Sequence, residues 1–257
     1  MKNLITIASF LICVSFFACQ KNIVAFNPFP DKTIPDKFIK TSYDSLGQYD
    51  TLGRPSYLTT PDTISSNLAN FIATQLPKSV DLTKTHPEYF TAKASANINI
   101  TQKSNIYVTF VKETASFYNT IGFYTYPTNT PPTTPANIIK ITYIFPNAKF
   151  VGDGGGLKPG DKVLIGTFDP GTSVGFVLLR NAWNPITKTI NRNAEHFLSA
   201  DALNPEIDST KRRHDVLIQY PAENKTLICF EDTDRSEADC DNDFSDIIFY
   251  TTSIPVK

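Results

Sequence analysis

Thr226-Leu227-Ile228-Cys229-Phe230 and Ile247-Ile248-Phe249-Tyr250 are two apolar, β-prone stretches that enclose the run Glu231 to Asp246. That run reads Glu231-Asp232-Thr233-Asp234-Arg235-Ser236-Glu237-Ala238-Asp239-Cys240-Asp241-Asn242-Asp243-Phe244-Ser245-Asp246, with eight acidic residues and one basic one. The flanking stretches read as strands and the run as the loop between them. Two carboxylates about 4 Å apart repel by roughly 4 kcal/mol at an effective dielectric near 20. Gathering several of them between ordered strands calls for a counter-charge, and a hard divalent cation with oxygen ligands supplies it. The expected ligands leave one strand as Glu231 and Asp232 and enter the next as Asp241, Asp243 and Asp246. Asp234, Glu237 and Asp239 are expected to be solvated or to support those ligands. The competing reading is an exposed acidic hairpin loop without metal.

Outward from this loop the chain is a series of β-like runs. Ala96–Ile100, Asn105–Lys112, Ile121–Tyr126, Ile138–Phe145, Lys162–Phe168, Ser173–Leu179 and Asp215–Tyr220 join 226–230 and 247–251 to give about nine strands. Turn signals separate them, and the fold class expected is mainly β: a jelly-roll-like β-sandwich. A short N-terminal helical segment precedes it. Ile64, Leu68, Phe71, Ile72 and Leu76 recur near a 3.6-residue period, so a helix is expected over 63–76, started by Thr60-Pro61-Asp62 and stopped by Pro77.

The first residues address export. Met1-Lys2-Asn3 is a positive start, and Leu4 to Phe17 is an apolar run of signal-peptide length, short of the ~20 residues a membrane helix needs. Phe16-Phe17-Ala18-Cys19-Gln20 resembles a bacterial lipobox, in which Cys19 becomes the lipid-bearing first residue; the alternative is an ordinary signal peptide. Residues 1–18 are then the signal peptide, 19–40 a Pro- and Lys-rich tether, and 41–90 an irregular and helical segment. The expectation is an exported lipoprotein of the outer membrane, facing the periplasm or the cell surface and attached to the membrane through its lipid. Of four cysteines, Cys13 leaves with the signal and Cys19 carries lipid. The remaining Cys229 and Cys240 suit a disulfide in an oxidising compartment. Closing that loop would stabilise by roughly 2.5–3 kcal/mol. The alternative is a buried Cys229 with a free Cys240.

Other chemistries fit less well. A formal net charge of −1 gives no basic surface for nucleic acid. Asp239, Asp241 and Asp243 suit the first positions of an EF-hand, but Phe244 occupies the place of its glycine and Tyr250 that of its bidentate glutamate. Gly152 to Asp161 is Gly-rich, yet Lys158-Pro159-Gly160-Asp161 lacks the Lys-Ser/Thr and helix of a phosphate-binding loop. His86, His196 and His214 are scattered. Paired carboxylates can cleave glycosides, but so dense a cluster suits metal better. Phe117, Tyr118, Phe123, Tyr124, Tyr126 and Trp183 read as core, with a sugar- or protein-binding platform as the alternative.

A family resemblance runs through the same residues. Phe230-Glu231-Asp232 with Cys240-Asp241-Asn242-Asp243-Phe244-Ser245-Asp246-Ile247-Ile248-Phe249 resembles the signature of the LruC-type domain, a domain of unknown function in exported proteins of gram-negative bacteria. Tyr118 to Pro127, Ile144 to Ala148, Gly152 to Leu157 and Gly171 to Phe176 are similar to it as well, so the resemblance covers about residues 105 to 252. Ser245 departs from the family, where Asn is usual; if that position donates an oxygen, a hydroxyl replaces the amide. Residues 91–257 are identified as the LruC-type β-sandwich domain. The resemblance implies calcium binding at the cell surface and names no reaction. The function expected is a calcium-binding adhesion or binding module whose partner is an unknown surface protein or a glycan. A carbohydrate-binding module or glycan-processing hydrolase is the second expectation, and a scaffold component of a surface fibre the third.

Overall fold

The computed structural model describes residues 38–91, 94 and 96–256. The expected signal peptide, Cys19 and the tether as far as residue 37 lie outside the described residues. Strand β1 is Ser42–Ser45, and helices α1 (Ser66–Gln75) and α2 (Leu82–Thr85) follow. Next come β2 (Ile98–Asn99), β3 (Ser104–Glu113), β4 (Thr120–Pro127), β5 (Lys140–Phe145), β6 (Lys162–Phe168) and β7 (Thr172–Leu179). The chain ends with β8 (Trp183–Asn184), β9 (Thr189–Ile190), β10 (His196–Leu198), β11 (Asp215–Tyr220), β12 (Lys225–Phe230) and β13 (Ile247–Pro255).

These strands form a two-sheet sandwich. One sheet runs β1-β5-β4-β7-β10 with β2 added against β7; the other runs β11-β12-β13-β3-β6. Strands β8 and β9 make a small separate hairpin, and β1 lies parallel to β5 while the remaining pairs are antiparallel. The strand period of two divides each strand between two layers. Ile228 and Phe230 of β12, with Ile247 and Phe249 of β13, face inward against Val174, Phe176 and Leu178 of β7. Phe176 meets Phe249 edge-on across the sandwich, with ring centroids 5.2 Å apart. The alternate residues Leu227, Cys229, Ile248 and Tyr250 face the other way and are covered by Leu68 and Ile72 of α1 and by Leu76 at its C-cap. The outer face of the first sheet is likewise covered, where Tyr124, Val177, Leu179 and Leu198 pack with Phe38 and Ile138. Opposite Tyr124 stands Gly175; a Cβ there would lie 2.3 Å from Tyr124 Cζ, so the ring requires a glycine beneath it.

All nine expected strands are present, and the short N-terminal helical segment is α1. The helix begins later than the sequence suggests. Ser65 caps it, its hydroxyl accepting the Leu68 N–H at 3.0 Å. Asp62 is drawn to the sheet instead: its carboxylate accepts from Lys162 Nζ (2.6 Å), Thr109 Oγ1 (3.0 Å) and the Tyr250 hydroxyl (2.9 Å).

The Gly-rich loop is a tight connection into β6. Asn147 Nδ2 donates to the Gly154 carbonyl at 3.0 Å, and Asp161 accepts the Lys158 N–H while pairing with Arg54. Trp183, Tyr124 and Phe123 are core residues, and Phe117, Tyr118 and Tyr126 are half-buried.

Candidate metal centre

Strand register builds the site. Phe230 pairs with Ile247, so the residues just beyond them, Glu231, Asp232 and Asp246, emerge together at one end of the sheet. The Asp232 N–H donates to Asp246 Oδ2 at 2.9 Å. Asn119, fully buried at the start of β4, donates from Nδ2 to Asp232 Oδ2 at 2.6 Å and accepts the Asn181 N–H at 2.9 Å, binding the acidic end to the other sheet. From behind, the His214 carbonyl accepts the Glu231 N–H at 2.9 Å.

The loop that returns to β13 is held by its own turns and by the helical segment. Asp243 accepts two backbone N–H groups, from Ser245 at 2.6 Å and Ser79 at 2.7 Å, and the Leu82 N–H donates to the Asn242 carbonyl at 3.0 Å. Asn242 and Phe244 have φ of 55° and 53°. A left-handed Phe is uncommon and costs about 1–3 kcal/mol. Burial offsets it: the Phe244 ring is fully enclosed, edge-on to Phe90 at 5.2 Å. Arg235 is a buried brace. Its guanidinium lies 5.3 and 5.4 Å from the Phe90 and Phe244 ring centres, with Nε donating to Asn242 Oδ1 at 2.7 Å and Nη1 to the Arg213 carbonyl at 3.0 Å.

All five expected ligands converge, in two sets of three. Oxygen atoms of Glu231, Asp232 and Asp246 lie within 4.8 Å of one another, and so do oxygen atoms of Glu231, Asp241 and Asp243. At that spacing each pair of charges repels by roughly 3.5 kcal/mol at an effective dielectric near 20. Glu231 is 2% exposed and Asp232 3%. Burial, then the charge of Asp232, pushes the Glu231 carboxyl up to about 7. Asp246 is raised well above the ordinary carboxylate range by burial and by Asp232 and Glu231, and Asp232 is raised by burial. Asp241 is raised by burial and by Asp243. Lys149 and Arg180 lie close enough to oppose the rise at Asp232. Both have other partners: Lys149 pairs with Glu113 at 3.1 Å, and Arg180 with Glu195 at 3.5 Å and Glu237 at 3.6 Å. Glu231 Oε2 is buried without any hydrogen-bond donor. Each set offers three carboxylate oxygens and no nitrogen or sulfur donor, and could hold a metal ion.

The acids around this set also find places. Asp239 is exposed on the rim of the cleft, of about 330 Å³, that the five share with Lys78, Thr114, Phe117 and Arg180. Glu237 pairs with Arg180. Asp234 is buried rather than solvated, its carboxylate accepting the Ser236 N–H at 2.8 Å to close a turn. Of the histidines, His86 stacks on Tyr89 and His196 is buried with its pKa held down to about 4 by desolvation, whereas His214, stacked on Phe197, backs Glu231 through its own carbonyl and through its ring Nδ1, 3.1 Å from the Glu231 carbonyl.

The expected Cys229–Cys240 disulfide is not formed; both are free thiols. Strand alternation places Cys229 in the apolar layer beneath α1, opposite Ile248, whereas Cys240 stands in the loop beyond the strand ends. Burial raises both thiol pKa values. Asn119 and Ser79 are among the contributors that the acidic run does not announce. Asn119 lies in the Tyr118–Pro127 stretch that carries the family resemblance, so a signal for it existed. Ser79 contributes only a backbone N–H, which leaves no trace in a sequence.

No curated protein and no solved structure matches the chain. Residues 168–253, which hold β7 to β12, the acidic loop and most of β13, are similar to a family described as a domain of unknown function (DUF4114), a description that assigns no reaction.

Proposed function

We propose that the chain is an exported, lipid-anchored sandwich of LruC type whose acidic centre holds calcium, and that the cation stiffens loops used for binding or adhesion at the cell surface. The observation that carries this reading is Glu231 Oε2, buried without a donor where two groups of carboxylates meet. A carboxylate there demands a cation or a proton, and all-oxygen coordination favours calcium over thiolate- or imidazole-seeking metals. Extracellular sites of this kind work at roughly 10⁻⁴–10⁻³ M. The lipobox-like Phe17-Ala18-Cys19 supports the anchor.

Limited proteolysis tests the metal. In EDTA the 231–246 loop is cut, and millimolar calcium protects it; equal cutting in both contradicts the reading. Cys19→Ser moves the protein from the membrane to the soluble fraction, and retention contradicts the anchor. A glycan and surface-protein panel, read with and without calcium, tests the partner.

One observation favours the second reading, a glycan-processing hydrolase. Burial pushes the Glu231 carboxyl up to about 7, into the range a general acid needs at neutral pH. Its near-complete burial opposes the contact with a glycosidic oxygen that this role needs. Release of reducing sugar from surface glycans would support hydrolysis.

A further inference from the structure

The strand-end and loop carboxylates do not form one group of five; among the described residues their oxygens come within 4.8 Å only as two sets of three, and Glu231 alone is common to both. Calcium holds oxygens at about 2.3–2.6 Å, so two ligands of one ion stand at most about 5 Å apart. Each set fits one coordination sphere. We infer that the centre holds two calcium ions per chain, bridged by the Glu231 carboxylate; this rests on the calcium reading above.

Glu231 is suited to bridging. Oε1 accepts a long bond from the Thr233 N–H, 3.3 Å, the Asp246 carboxyl faces the same group, and Oε2 is buried without a hydrogen-bond partner, so both oxygens keep lone pairs for metal. The two sites differ in surroundings. Asp232 and Asp246 belong to the ends of β12 and β13, and Asp232 is fixed by Asn119 deep between the sheets. Asp241 is exposed at the mouth of the cleft, and Asp243 is bound to the helical segment through Ser79. The inner ion is therefore enclosed, and the outer one completes its shell with water and exchanges more readily. Charge agrees: five carboxylates against two divalent ions leave one negative charge, where a single ion would leave three.

Equilibrium dialysis of the full chain in detergent, with metal counted at saturating calcium, tests this. Two ions per chain are expected, the weaker one lost in Asp241→Asn with Asp243→Asn and the tighter one in Asp246→Asn. Glu231→Gln weakens both by at least tenfold. Asp241 is exposed, so Asp241→Asn alone keeps the fold, checked by circular dichroism, and weakens only the second ion. One ion in the wild type overturns the bridging inference and leaves the calcium reading standing. No bound ion overturns both. Two ions retained with full affinity after the Asp241 and Asp243 changes overturns the outer site.

Discussion

The Asp232 backbone N–H donates to Asp246 Oδ2 at 2.9 Å, so the end of β12 and the start of β13 are joined through one of the very carboxylates that crowd there. This bond holds Asp246 beside Asp232 and Glu231. Negative charge is thereby concentrated at the end of the sheet, and under the calcium proposal proton and metal compete for the same oxygens.

That competition has a sign. Folded-state carboxyl pKa values raised by burial mean that the native state binds more protons than the unfolded one, so metal-free stability falls as pH rises between the two values. For Glu231 the window runs from the ordinary 4.5 to about 7. Calcium binding requires the deprotonated forms, so apparent calcium affinity rises through the same range. Urea unfolding in EDTA at pH 5 and pH 7.5 should show the lower stability at 7.5, with calcium removing or reversing the difference. A metal-free protein more stable at pH 7.5 contradicts the buried-carboxylate account.

Phe244 offers a test of the strained loop. Phe244→Ala removes a fully buried ring from between Phe90 and Arg235 and leaves the left-handed backbone without its packing. Truncation of a buried Phe costs about 3–5 kcal/mol. Denaturant unfolding should show a loss in that range together with weaker calcium binding; a change below about 1 kcal/mol would mean that the ring is not what holds the turn.

Ser65 rather than Asp62 begins α1. Ser65→Ala should cost about 1 kcal/mol through the lost cap. Asp62→Asn should instead weaken the tie to Lys162 and Tyr250 on the sheet. Native-state hydrogen exchange distinguishes them: the first change loosens the amides of the first turn of α1, the second those of β6 and β13. Loosening of the α1 amides by Asp62→Asn contradicts the assignment.

Much of the architecture was legible because strand burial writes itself as a period of two. Each of the nine stretches read as strands is one, and the acidic run gave all five converging carboxylates because they cluster in sequence as well as in space. The strands β1, β8, β9 and β10 escaped notice for a physical reason: they span only two to four residues, and Ser42-Tyr43-Asp44-Ser45 is polar, so pairing with β5 rather than an apolar face defines it. The helix start was misplaced because Asp62 has tertiary partners that no local capping rule contains. The disulfide failed for a related reason. An even number of cysteines says nothing about which face of a strand each one takes, and Cys229 faces the helix layer. Arg180, which reaches the centre from the end of β7, carries no local signal at all.

Thermal unfolding in EDTA against millimolar calcium shows whether the acidic centre binds calcium in the folded state. A ligand at about a hundred times its dissociation constant stabilises by ~2.7 kcal/mol. That corresponds to an upward shift of several degrees in a domain of this size. A rise of that size is expected in the wild type, and a smaller one when Asp241 and Asp243 are both changed to Asn, because Glu231, Asp232 and Asp246 remain. An identical midpoint with and without calcium in the wild type would contradict calcium binding.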